Sequence, residues 1–191
     1  MVKGRTVDKW KTKSWYTVYA PEILEGKEIG KVPASEDKAL INRIIKISLA
    51  ELTGDFSQTY TSVQFRIHSV KGKSAQTYLI GHELARGYLK TLVRRGRTVL
   101  NVVQDVVTKD GVVVRVKTVA FTVRRVSTPI AKAIRAEVDA CVSEKAKEMT
   151  FSQLEQEIIF GKFSSRIFNR VKKIVPMRRV EIRKTEVLVK K

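Results

Sequence analysis

A chain of 191 residues, 43% hydrophobic and 30% charged, is long enough for one good core or for a core with an appended subdomain. Lys and Arg number 38 against 19 acids, a net charge of +19 that far exceeds what solubility requires, so a polyanionic partner is expected. No apolar run approaches the roughly 20 residues of a spanning helix and no signal peptide follows Met1-Val2-Lys3, which argues against a membrane; the lone Cys141 excludes an internal disulfide and suits a reducing cytoplasm.

The chain opens on a basic, aromatic segment that holds both tryptophans, Trp10 and Trp15, interleaved with Lys9, Lys11 and Lys13. Large rings near a chain end are unfavourable in water, so something must cover them. Rings that stack and ammonium groups that neutralise phosphate make an RNA-contacting segment. The competing reading is that Trp15, Tyr16 and Tyr19 open a β-strand and pack in the core. Residues before Trp10 and after about Leu188 are short and basic and lack apolar periodicity, so they are expected to be extended and to order only on RNA.

Alternation then marks strands. Ile45, Ile47 and Leu49 alternate with Lys46 and Ser48, and Val63, Phe65 and Ile67 with Gln64, Arg66 and His68. Lys71-Gly72-Lys73 reads as a hairpin turn into Thr77-Tyr78-Leu79-Ile80. A short helix is predicted over about 83–95, with Leu84, Tyr88 and Leu92 inward and Gly96 as its stop. Arg86, Lys90, Arg94 and Arg97 fall on another side of it, and with Arg95 they give five bases and no acid between residues 86 and 97. Two valine-rich runs, about 98–108 and 112–124, flank Asp110-Gly111, a strong hairpin signal. Arg124 and Arg125 close the second run.

The period changes at Ser127. Thr128 can cap a helix and Pro129 suits its first turn; Ile130, Ile134, Val138, Cys141 and Val142 mark its inner face. Thr150 and Gln153 form a capping box for a second helix with Leu154 and Ile158 inward, stopped by Gly161. A third helix, about 163–175, buries Phe163, Ile167, Val171 and Ile174 and presents Arg166, Arg170 and Lys173, with Lys172 beside them; Pro176 ends it. A last strand over about 178–189 begins with Arg178-Arg179, and its register is open.

The expected class is α+β: a β-barrel-like core of about six to eight strands with one inserted short helix, then a C-terminal helical segment and a final strand. The domains are drawn at 1–126, a barrel domain with a basic N-terminal segment, and 127–191, a helical and strand subdomain with a basic tail. Residues 130–162 hold 5 bases and 6 acids, whereas 163–191 hold 10 bases and 2 acids. Such patches of one sign are expected of a nucleic-acid footprint.

Catalytic sets are missing. His68 and His82 do not stand at metal-ligand spacing with Cys141, no phosphate-binding glycine pattern occurs, and Asp105 and Asp110 fit turn roles better than metal ligation. No metal, cofactor or enzymatic activity is expected.

Five stretches resemble one family. They are Lys-x-Trp-Tyr-x-Val-x-Ala-Pro, from Lys13 to Pro21; residues 40–52 with Arg43, Ser48, Leu49 and Leu52; Gly81-His82-Glu83-Leu84-Ala85-Arg86; Asp110-Gly111 with Val114-Arg115 and Ala120-Phe121-Thr122; and Ile134-Arg135. Their order and spacing resemble the small-subunit ribosomal proteins of archaea and eukaryotes of the S-three-a-e type. Asn42 stands where Gly or His is usual, Lys46 where an acid is usual and Glu51 where Asp is usual. The chain stops at Lys190-Lys191, short of the longer eukaryotic members, which points to an archaeal one. The resemblance implies a structural constituent of the ribosome that binds small-subunit rRNA on the platform, near the 3′ end of the rRNA and the mRNA exit region. Neighbouring small-subunit proteins, and mRNA or initiation factors near the exit, are the further partners it implies, in the cytoplasm. The alternatives are a non-ribosomal RNA-binding barrel protein and an RNA-processing factor.

Overall fold

A computed structural model describes residues 10–21, 24 and 26–189. Strands β1 (Ser14–Tyr19), β2 (Glu28–Ala34) and β3 (Ile44–Ser48) lead to a short helix α1 (Leu49–Thr53), then to the hairpin of β4 (Thr61–Lys71) and β5 (Ser74–Leu84). Helix α2 (Arg86–Leu92) precedes a second hairpin, β6 (Val99–Val107) and β7 (Val113–Thr122). Helices α3 (Thr128–Glu148), α4 (Phe151–Ile159) and α5 (Lys162–Val171) follow, and β8 (Met177–Val189) is last.

The chain divides into two compact units: residues 1–47 with 65–79, and 48–64 with 80–191. β4 and β5 run from one into the other. The change of period at residue 127 therefore marks a change of secondary structure, while the units are divided elsewhere: 127–191 belong with β6 and β7. The reason is physical, since the apolar faces of β6 and β7 are covered by the helices that follow them.

In the first unit β1 pairs antiparallel with β2 and parallel with β5. Period two sends Tyr16 and Val18 into a core with Ala34, Leu40, Ile67 and Ala75. The second unit carries the antiparallel run β5-β8-β7-β6. Leu100, Val102, Val106, Val114, Val116, Ala120, Val180 and Ile182 meet α3, α4 and α5 on one face of it. From α3 come Ala131, Ile134, Val138, Cys141, Val142 and Ala146, at the spacing of one helix stripe. Each fully buried aliphatic side chain there contributes roughly 1.5–3 kcal/mol.

The class is α+β, with eight strands, the inserted helix, the helical segment and the final strand as expected. The sheet is not closed into a barrel, because β2 and β6 each keep a single hydrogen-bonded neighbour. The capping box is made on both sides: Gln153 N–H donates to Thr150 Oγ1 and Thr150 N–H to Gln153 Oε1. Other boundaries move. β5 continues through Leu84, so α2 starts at Arg86 and stops at Leu92, not near residue 95. Ser127 stands at the N-cap position of α3, without a cap bond from its side chain, Thr128 lies inside the helix, and Ala131 replaces the half-exposed Ile130 on its inner face. α5 ends at Val171, which leaves Ile174 exposed and Val175 buried.

Candidate nucleic-acid interface

β6 starts, β7 ends and β8 starts at the same end of the second unit's sheet, because Val99 pairs with Phe121 and Thr122 with Met177. The connecting segments at that end are laced together through Thr122, which is fully buried. Thr98 N–H donates to Thr122 Oγ1 at 3.0 Å, and that hydroxyl donates to the Arg124 carbonyl at 2.6 Å. Val126 N–H donates to Thr98 Oγ1 at 3.1 Å, and Val123 N–H to the Pro176 carbonyl at 3.1 Å. Segments far apart in sequence are thereby held as one surface.

That surface gathers the basic residues. Segments 86–98, 122–127 and 172–180 hold eleven Lys and Arg and no acid. Arg86, Lys90, Arg94, Arg95, Arg124, Arg125, Lys172, Lys173, Arg178 and Arg179 are exposed and Arg97 is half-buried. Of these eleven only Arg179 has an ion-pair partner among the described residues: Glu181, at 2.5 Å. Eleven like charges in such a confined region repel one another unless a polyanion neutralises them.

α2 is held over the same end of the sheet by Tyr88, Leu89 and Leu92, which pack on Val99, Val119 and Phe121. Tyr88 donates its hydroxyl to Glu181 Oε1 at 3.1 Å and stacks on Tyr60 with centroids 3.9 Å apart. Burial, and then the Glu181 carboxylate, push the Tyr88 phenol well above its ordinary range. The Arg179 guanidinium lies 5.9 Å from the Tyr88 ring.

The helical stripes read from sequence are rearranged. Only Arg86 and Lys90 stand on α2, and Arg94, Arg95 and Arg97 lie in the segment that leads into β6. In the other stripe two members are already paired internally. Arg170 reaches Glu137 at 2.8 Å and Glu144 at 2.5 Å, and Arg166 reaches Glu157 at 3.3 Å. The Glu144 carboxylate, hydrogen-bonded to Arg170, raises the guanidinium pKa above its usual value. These two arginines tie α5 to α3 and α4, and Lys172 and Lys173 remain for a partner.

In the N-terminal segment Lys9 lies outside the described residues. Trp10 is 60% exposed, with the Lys13 ammonium 4.4 Å from its ring, and Lys11 and Lys13 are exposed. Trp15 does not pack in the core. It is 55% exposed on the outer side of β1, because the alternation that buries Tyr16 and Val18 turns Trp15 and Tyr19 outward. Both tryptophans are therefore exposed, Trp10 with the Lys13 ammonium over its ring.

The candidate chemical groups have structural partners. Asp105 binds Arg115 bidentately at 2.7 and 2.8 Å, and this pairing lowers the carboxyl pKa. Asp110 accepts from Phe151 N–H at 3.0 Å, at the start of α4. His82 is 2% exposed; its Nε2 donates to the Ile182 carbonyl at 3.0 Å and its Nδ1 meets Thr185 Oγ1 at 2.9 Å. No cluster of three or more His, Cys, Asp or Glu side chains among the described residues could hold a metal.

Residues 1–191, the whole chain, match the Ribosomal S3Ae family. The chain belongs to that family. It is similar to the small ribosomal subunit protein eS1 of Saccharolobus islandicus, 43% identical over 187 residues that cover 97% of this chain and 90% of that one. It is similar also to the small ribosomal subunit protein eS1 of Saccharolobus solfataricus, 42% identical over 185 residues covering 97% and 89%. The family is one of ribosomal proteins, and its member here is not an enzyme. What the sequence did not reveal is the convergence of its basic residues. Arg97, Arg124, Arg125, Arg178 and Arg179 come together through strand pairing that no local window reports, and the Tyr60–Tyr88 stack has no sequence signal.

Proposed function

We propose that the chain is a structural protein of the small ribosomal subunit that binds its rRNA through the basic end of the second unit. The carrying observation is the set of eleven cationic side chains, ten of them without an acid partner among the described residues, gathered at one end of a sheet. Arginine forks there fit phosphate oxygens two at a time. The exposed Trp10 and Trp15 with Lys11 and Lys13 add a second, stacking contact to unpaired bases. On the family resemblance, the site is the platform near the rRNA 3′ end and the mRNA exit. Neighbouring small-subunit proteins are its protein partners, with mRNA or initiation factors close by in the cytoplasm.

The test is sedimentation of lysate from cells carrying the protein, followed by cross-linking within the intact subunit. The protein is expected to travel with the small subunit through a moderate salt wash. Cross-links are expected from the segments around Arg94, Arg125 and Arg178 to rRNA. Protein left at the top of the gradient, or cross-links to rRNA from other surfaces alone, would overturn the proposal.

A further inference from the structure

Beside the basic end the second unit holds a cavity of about 570 Å³ that none of the phosphate contacts above requires. Its walls come from the residues before β4, from the end of β5, from α4 and α5 and from the first residues of β8. Tyr60 and Phe168 supply rings, Gln58 and Asn169 supply carboxamides, and Arg178 and Arg179 stand in its wall. His82 contributes to the lining, but both of its ring nitrogens are engaged. Gln58 keeps its Oε1 buried and without a hydrogen-bond partner among the described residues. A buried acceptor left unpaired is unfavourable by about 1–3 kcal/mol.

These groups select one chemistry. A ring wall favours a flat ligand, carboxamides match the donor and acceptor edge of a nucleobase, and Arg178, which has no ion-pair partner among the described residues, matches a phosphate. The size falls in the range of about 300–1,000 Å³ typical of small-ligand sites. Glu181, the acid in the lining, is paired with Arg179 and accepts a hydrogen bond from the Tyr88 hydroxyl. Inference from these facts rests on the RNA-binding reading above and goes past phosphate contacts. We propose that the cavity takes one unpaired nucleotide of an RNA strand, its base against the Tyr60 and Phe168 rings and the Gln58 and Asn169 amides, its phosphate on Arg178. The protein then reads strandedness as well as charge, because a base held in a duplex cannot enter.

The experiment titrates the full chain with a short unstructured single strand of RNA and with a blunt RNA duplex of the same length. The double variant Gln58→Leu/Asn169→Leu keeps every cation. It is expected to lose about tenfold in single-strand affinity while its duplex affinity stays that of the parent. In the parent, the amide resonances of Ser165 and Asn169 are expected to move with the single strand and to stay put with inorganic phosphate. Single-strand affinity unchanged in a folded double variant overturns the pocket and leaves the basic end standing; so do equal shifts with phosphate alone, which would mark an anion site. Failure of both RNAs to bind the parent overturns the RNA-binding reading itself. If the double variant does not fold, the parent's resonance shifts decide. Shifts with a peptide of a neighbouring ribosomal protein, and none with RNA, would assign the cavity to a protein partner and likewise overturn the proposal.

Discussion

Single residues of this chain carry constraints that composition hides. A Cβ built on Gly81 would lie 2.2 Å from the Thr185 carbonyl oxygen and 2.9 Å from its carbon, both backbone atoms that have no room to move. β5 can approach β8 here only because the side chain is absent. The approach lets His82 N–H donate to Thr185 Oγ1 at 3.0 Å, and the carbonyl of Ile182 fixes the ring proton on Nε2. Gly81→Ala is therefore expected to destabilise the protein by at least about 2–3 kcal/mol, read as a drop in urea midpoint. A midpoint equal to the parent's would show that the two strands can separate freely. Asn42 obeys a related rule. It is the one non-glycine with positive φ among the described residues, at 68°, a conformation asparagine tolerates better than most side chains.

At the scale of elements, β8 binds the second unit by its pairing with β7 and by an ionic cross-strand contact. Glu186 sits between Lys184 and Lys117, the latter at 2.9 Å. Hydrogen bonds from Lys184 first, and from Lys117, hold its carboxyl below the usual 4.5. The unfolded chain binds that proton more readily than the folded one, so the contact stabilises fully above pH 4.5 and is lost as pH falls through the folded value. Glu186→Gln is expected to be less stable than the parent at neutral pH, and the gap to close as the pH falls below 4.5. Paired denaturation curves at neutral and acid pH test this, and a gap that persists in acid would refute it.

The same elements show what could be read in advance. The β6–β7 hairpin was legible because valine alternation and Asp110-Gly111 agree, and α4 because its capping box is local. The boundary between β5 and α2 was not. Leu84, Tyr88 and Leu92 are spaced like a helix stripe, yet β5 runs on through Leu84: its buried positions pass from Ala75, Thr77, Leu79 and Gly81 to His82 and Leu84, a change of phase that breaks simple alternation, while Glu83 pairs with Lys184 of β8. The register of β8 was closed to inspection because it shifts at three points against β7, so no single period describes it. The candidate site was legible as a set of basic residues and not as a place. The place comes from pairings such as Phe121 with Arg179, long in sequence and invisible to any helical wheel.

For the whole molecule, a charge of +19 opposes folding into a compact state and favours binding to a polyanion, and the two effects are linked. Each phosphate met by a cation releases condensed counterions, so affinity depends steeply on salt. With roughly 6–10 such contacts, rRNA affinity is expected to fall on the order of 10³–10⁵-fold between about 50 and 200 mM salt. The structure separates cations that can supply this slope from those that cannot. Arg94, Arg95 and Arg125 are exposed and lack acid partners among the described residues, whereas Arg170 already serves Glu137 and Glu144. Replacing the first three together by Gln is expected to flatten the log–log salt slope by about 2–3 units with the fold intact. Arg170→Gln is expected to weaken the α3–α5 contact and lower the melting temperature, with less than about one unit of change in slope. The measurement is rRNA binding across a salt series, with thermal unfolding of each variant alongside. A triple variant that keeps the parent's slope, or an Arg170 variant that loses as much slope as the triple one, would show that the free basic end is not where the phosphates sit.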